Sequence, residues 1–275
     1  MQDRMSDLPL ILVSGQARSG TTILTRAIGA HPQVLSNNRE NVWLRDIIEV
    51  VGNTVGDQSR VRQMSVEPEE FLAEFRETAY RMLFPDSLCE QSADDVKALS
   101  TFTSLREEMF DSLPVFLPNF RLVNIVRNGL EVVASRLKHA HISKAGDFQT
   151  HCVAWAHSID IVRWFEEHSE FKDRFFLVRH EELLNPDSCR DVFGRIQHRL
   201  GLDRFDACEN FVAENFVSRN ASDGNQSPQT FEGAVARKHA WQTWSAEERE
   251  EFENLCGDSM CELNYQIPWL MDRAE

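Results

Sequence analysis

The chain has 275 residues, 42% apolar and 27% charged, a composition that supports a globular protein with a sizeable buried core. Its formal net charge of -15 disfavours non-specific binding to nucleic acid or anionic membrane, so an anionic ligand must be captured by a local cluster of cations and backbone N–H groups. The apolar run 8–13 is far too short to span a bilayer, no C-x-x-C pair suggests zinc or any other metal, and the six cysteines read as reduced thiols of a cytoplasmic protein.

Residues 10–13, apolar and partly β-branched, are predicted as a buried parallel strand running into Ser14-Gly15. The stretch SGQARSGTT follows. Gly15 and Gly20 stand five apart with a hydroxyl at Thr22, the frame of the phosphate loop G-x-x-x-x-G-K-[ST], but Thr21 occupies the lysine position. Helical spacing of Ile23, Leu24, Ala27 and Ile28 predicts a helix over 20–30, ended by His31-Pro32, with a short strand at 34–36. The pattern over 40–118 is less regular. It predicts an amphipathic helix at 67–84 closed by Pro85, a strand at 96–100 and a helix at 105–116.

A strand at 122–126, a turn at Asn128-Gly129 and a helix at 130–139 come next. One long helix is predicted over 148–168, a buried strand over 175–178, and helices near 188–200 and 205–213. Residues 218–233 are polar and rich in Gly, Ser and Asn, the composition of a mobile surface loop. Ser245 with Glu248 forms a capping box for a last helix. The alternation of strands and helices predicts an α/β fold over 1–275 as a single domain, with a central parallel sheet flanked by helices.

A strand, a glycine-framed loop and a helix N-terminus make an anion site. The N–H groups of Ser19, Gly20, Thr21 and Thr22 converge there, and the helix dipole favours negative charge. With no lysine at position 21, Arg18 is the cation inside the loop. The plainer alternative is a strand–turn–helix corner that binds nothing.

The segment SGQARSGTTILTRAIGAHPQV resembles the 5′-phosphosulfate loop of the PAPS-dependent sulfotransferases. In the branch holding the protein-tyrosine and many bacterial enzymes, the pattern is P-R-S-G-T-T and a helix ending in H-P-x-V; Ala17 here replaces the proline. A second match is IVRNGLEVVAS, where Arg127 and Ser135 stand at the spacing of the family's 3′-phosphate motif. LVRHEELLNPDS is similar to a further family segment, with His180 replacing a tyrosine. RKHAWQTWSAEE is similar to the C-terminal segment that closes over the nucleotide, which implies Arg237 or Lys238 at the 3′-phosphate.

The resemblance implies a P-loop-like three-layer fold and an enzyme that moves the sulfuryl group of 3′-phosphoadenosine 5′-phosphosulfate (PAPS) to an acceptor hydroxyl by in-line displacement, leaving PAP. Arg18 and Thr22 take the charge-stabilising role, and Glu40, one or two residues from the expected place and next to Arg39, takes the role of base. Lys97 matches the lysine of the family's G-x-K-[ST]-P segment and would stabilise the leaving oxygen. His139 and His141 are rival bases. Residues 41–118 and 140–165 are expected to line the acceptor cleft, with Trp43, Phe102, Phe110, Phe116, Phe148 and Trp155 as candidates for an apolar wall. A small metabolite, a sugar or lipid hydroxyl and a peptide tyrosine all remain open as acceptors, and the oligomeric state is not written in the sequence.

Two other classes compete. A P-loop kinase or NTPase would need lysine at 21 and a strand ending in Asp for Mg²⁺, whereas the relevant strands end in Arg127 and Arg179. A non-catalytic PAP-binding module would keep the loop and lack a working base.

Overall fold

The computed structural model describes residues 2–90, 95–215 and 240–271. Its centre is a five-stranded sheet of β1 (Leu10–Gly15), β2 (Val34–Glu40), β3 (Ala98–Phe102), β4 (Phe120–Val126) and β5 (Phe175–Arg179), in the order β2-β3-β1-β4-β5. Every pairing is parallel, so all C-terminal strand ends lie along one edge, where ligands of open α/β sheets bind.

The helices of eight residues or more are α1 (Thr21–Gly29), α2 (Val42–Gly56), α3 (Pro68–Leu83), α4 (Gly129–Lys138), α5 (Phe148–His157), α6 (Asp160–Glu167), α7 (Pro186–Arg199), α8 (Ala207–Asn215) and α9 (Ala246–Glu262). Strand periodicity sorts them into two outer layers. Ile11 and Val13 of β1, with Val123 and Ile125 of β4, face a core shared with α1, α7 and α8. Leu10 and Leu12 of β1, with Phe120 and Leu122 of β4, face a larger core shared with α2 to α6 and α9. The three-layer arrangement expected from the sequence is therefore present.

On that second face the apolar alternation stops at Ser14 and Asn124, which sit opposite each other in the β1–β4 register. Both are buried. Polar side chains thus replace the core where the strands reach the ligand edge.

Several elements differ from the sequence reading. The predicted helix at 105–116 is two short pieces, Glu107–Met109 and Ser112–Phe116. The predicted 148–168 helix is broken between α5 and α6, where Ser158 donates its hydroxyl to Trp155 O at 2.6 Å and competes with the helical pattern. Strand β3 begins two residues later than predicted, at Ala98. Helix α2 has no counterpart in the expectations. At Ser245 the capping box is closed both ways, with Glu248 N to Ser245 Oγ at 3.2 Å and Ser245 N to Glu248 Oε2 at 2.8 Å. No described helix is long and apolar enough to cross a membrane.

Candidate active site

The loop between β1 and α1 is held by two glycines for different reasons. Gly15 has φ 149°, and a Cβ there would fall 2.5 Å from Ile125 O, so β4 leaves no room for a side chain. Gly20 has φ 100°, and a Cβ would fall 2.7 Å from His180 Cδ2. Arg18 carries a positive φ of 81° without being glycine, a conformation that costs about 1–2 kcal/mol.

Gly20 is the N-cap of α1, no side chain caps the helix, and its first turn holds no acidic residue. The first-turn N–H groups are thus left for an external anion. The N–H of Ser19 is spent inside the loop on Gln16 O at 2.9 Å, and its side chain is buried. The Ser19 N–H therefore helps to shape the loop. Thr21 is buried, whereas Thr22 is exposed.

Arg127 follows the end of β4, and Ser135 lies in α4. Asn128 starts that helix by accepting Leu130 N at 2.9 Å. Trp155 fixes the turn from behind: its Nε1 donates to Arg127 O at 3.1 Å, and a Cβ on Gly129 would meet its ring at 2.9 Å. The two motifs touch. Arg18 Nε donates to Ser135 Oγ at 3.0 Å, and Arg127 Nη1 donates to Arg18 O at 3.2 Å. Glu131 lies 3.6 Å from Arg127 Nη2 and also accepts Trp241 Nε1 at 3.1 Å. Burial lowers the pKa of both Arg18 and Arg127; Glu131 and Glu181 oppose this at Arg127. Such desolvated guanidiniums interact strongly with an incoming anion.

Three features escaped the sequence reading. His180 packs against Gly20 beside Arg127; burial first, and then the Arg127 charge, push its pKa down from 6.5 to about 3. It is a neutral ring in the site. Glu181 accepts Asn128 N at 3.0 Å and Tyr265 OH at 2.9 Å, tying the end of β5 to both the α4 turn and the chain beyond α9. Arg136, 8% exposed, donates from Nη1 to Gln16 Oε1 at 3.0 Å and from Nε to His151 Nδ1 at 3.3 Å. Gln16 Oε1 also accepts Ala17 N at 2.8 Å, and Gln16 Nε2 donates to Ala154 O. A buried cation thus braces the loop just before the strained Arg18. The one signal for it in the sequence was adjacency to Ser135.

Glu40 closes β2 at the ligand edge and is exposed. It pairs in register with Phe102, although Ser36 pairs with Ser100, so four steps along β2 match two along β3. The bulge is built from asparagines: Asn38 has φ 51°, and Asn37 Oδ1 accepts Thr101 Oγ1 at 3.2 Å. The extra residues shift Glu40 along the ligand edge relative to a regular strand.

Lys97 is not brought to this site. It precedes β3, at the opposite edge of the sheet, and its Nζ pairs with Asp203 at 3.1 Å. Gln33 Nε2 bonds Asp203 Oδ2 at 2.6 Å, and His31 Nε2 lies 3.1 Å from Asp203 O. His31 and Lys97 therefore close the base of the sheet. Arg179 is also committed elsewhere, to Leu263 O at 2.6 Å and over the Tyr265 ring. Among the six aromatics expected at the acceptor, Trp155 and Phe116 are core residues, and Phe110 alone lines the cavity beside Gly15. His139 and His141 stand past the end of α4, with ring centroids 6.1 Å apart. Arg237, Lys238 and the 218–233 segment lie outside the described residues.

The residues present fit a nucleotide bearing anionic groups at two ends: a glycine cradle, an uncapped helix start and two half-buried guanidiniums share one crevice. The chain matches the sequence profile of the sulfotransferase family over residues 9–206. It belongs to that family, and its activity is sulfuryl transfer. Among solved structures, the sulfotransferase domain of the Synechococcus PCC 7002 olefin synthase is similar at 16% identity with a TM-score of 0.54, covering 94% of this chain and 95% of that one. The sulfotransferase domain from the curacin biosynthetic pathway has 13% identity and a TM-score of 0.53, covering 95% and 99%. Mouse sulfotransferase SULT7A1, solved with PAP, has 15% identity and a TM-score of 0.52, covering 94% and 88%. No curated protein matches significantly by sequence.

Proposed function

We propose that the chain transfers the sulfuryl group of PAPS to a hydroxyl of its acceptor and releases PAP. The observation that carries this reading is the joining of two motifs more than a hundred residues apart, through Arg18 on Ser135 and Arg127 on the Arg18 carbonyl. Bound PAPS supplies an activated sulfuryl group. The loop from Gly15 to Thr22 holds its 5′ end with the free N–H groups of α1 and the Thr22 hydroxyl. Arg127 and Ser135 hold the 3′-phosphate, the group that ATP lacks. Arg237 or Lys238 adds a cation to that phosphate.

Arg18 places its guanidinium where negative charge develops on transfer. Glu40, at the same sheet edge as the loop, accepts the proton of the attacking hydroxyl. Lys97 has no part in this scheme. No metal is needed, because the guanidiniums and backbone N–H groups carry the neutralising charge.

Calorimetric titration with PAP, ADP and ATP–Mg²⁺ tests the assignment. Tight binding of PAP without metal is expected, with a loss of about 2–3 kcal/mol in Arg127→Ala. Preference for ATP–Mg²⁺, or indifference to Arg127, would reinstate the kinase reading.

A further inference from the structure

A cavity of about 460 Å³ opens beside Gly15 and Gln16, in the size range of small-ligand pockets. Its floor is the Ser14–Asn124 pair, on the sheet face turned away from α1. Most polar groups in the interior are already committed. Ser14 Oγ accepts Leu105 N at 3.2 Å, Ser158 Oγ donates to Trp155 O, and Asp160 Oδ1 accepts Arg163 Nη1 at 2.6 Å. Both ends of the Gln16 amide are taken by Arg136, Ala17 and Ala154.

Two donors remain. Asn124 Nδ2, in a residue 1% exposed, has no hydrogen-bond partner among the described residues. An orphaned buried amide is expensive unless a ligand satisfies it. The second is Arg45 of α2, whose side chain is 15% exposed. Its contacts are long for a guanidinium: Nη1 to Ser104 Oγ at 3.4 Å, and Nε at 3.3 Å to Asp46, itself 62% exposed and well solvated. The interior therefore offers an amide donor and a guanidinium fork, with its one carboxylate, Asp160, neutralised by Arg163. The remaining charged lining residues, Arg106, Glu107 and Glu108, and His157 are exposed, at the rim.

We infer that this cavity receives the acceptor, and that the acceptor is a small hydroxyl compound carrying a carboxylate. The inference rests on the sulfotransferase reading for the word acceptor. Its charge selectivity rests on the cavity alone. A carboxylate matches the planar fork of Arg45 and satisfies Asn124 with a second oxygen. A single interior guanidinium suits one negative charge, and the rim glutamates repel a second, which disfavours phosphorylated and polysulfated acceptors. Leu105, Phe110, Ala154 and Ile161 supply the apolar part of the lining, which suits the carbon skeleton of a small compound.

Ligand-observed NMR with three matched phenols tests this: 4-hydroxyphenylacetate, its uncharged amide 4-hydroxyphenylacetamide, and tyramine. Each is titrated into the full chain with and without PAP, into wild type and Arg45→Met. The carboxylate is expected to bind about tenfold more tightly than the amide, and to do so with PAP bound as well as without it. In Arg45→Met the advantage falls to within roughly twofold, while Arg45→Lys retains part of it. Equal binding of carboxylate and amide, preference for tyramine, no carboxylate binding, an unchanged preference in Arg45→Met, or displacement of the carboxylate by PAP would each overturn the inference. Failure of PAP itself to bind is read separately, by calorimetry, and would strike the cofactor assignment instead.

Discussion

Arg18 reaches Ser135 across the crevice, Nε to Oγ at 3.0 Å. A left-handed backbone at Arg18 aims the side chain that way. The serine therefore orders a guanidinium that would otherwise sample many rotamers, and preorganised charge is worth most where solvent is excluded. Ser135→Ala should weaken PAP binding by about 1 kcal/mol. A double-mutant cycle with Arg18→Ala, read by calorimetry, should give a coupling energy of at least about 0.5 kcal/mol. Additive losses would mean that the contact is incidental.

The Arg136 brace should show an unusual split between stability and binding. Its guanidinium is buried, with no carboxylate paired to it among the described residues, and burial lowers its pKa. Replacing the arginine with an apolar side chain of similar length relieves the cost of a buried charge with no counter-ion, which offsets the hydrogen bonds lost at Gln16 and His151. Arg136→Met is expected to unfold in urea at an unchanged or higher midpoint, yet to bind PAP roughly tenfold more weakly because Gln16 is no longer held. Equal losses in both measurements would reduce the arginine to a packing element.

Glu40→Gln separates chemistry from binding. Loss of a general base should lower kcat about 10²–10⁴-fold, with PAP affinity unchanged because β3 stands between Glu40 of the edge strand β2 and the loop after β1. A variant with undiminished turnover would return the role to His139 or His141. No measurable turnover in wild type under any acceptor would favour the non-catalytic PAP-binding module.

His180 gives the fold a specific weakness in acid. Its pKa is about 3 in the folded chain against 6.5 for an ordinary histidine. The unfolded chain therefore binds more protons below pH 6.5. Stability from this group is complete above that pH and is lost as pH falls from 6.5 towards 3. Burial shifts His31 and His151 in the same direction. Urea midpoints measured from pH 7.5 to pH 4.5 should fall steadily in wild type and less steeply in His180→Gln. Parallel curves would mean that His180 is protonated without penalty.

The two ligand motifs were legible because each is local: a strand, a glycine or arginine at its end, and a helix within a dozen residues. The order of chemistry along the chain carried the family resemblance as well. What stayed hidden depends on contacts between distant segments. Arg136 acquires meaning only when Gln16, far earlier in the chain, folds against it. Lys97 shows the converse: a short motif placed it at the reaction, but its start-of-strand position puts it at the base of the sheet beside Asp203. The break between α5 and α6 was invisible to periodicity because the apolar pattern runs through it, and one serine hydroxyl decides the matter.

The bulge in β2 has a wider consequence. Strand β2 pairs on one side only, with β3. Residues can therefore be added or removed near Asn38 without disturbing the register of the three inner strands, and the loop at Gly15 stays where it is. The reach of the carboxylate at Glu40 is in this way mechanically decoupled from the nucleotide crevice. A change of length in this one edge strand can therefore move the Glu40 carboxylate along the ligand edge without moving the glycine loop.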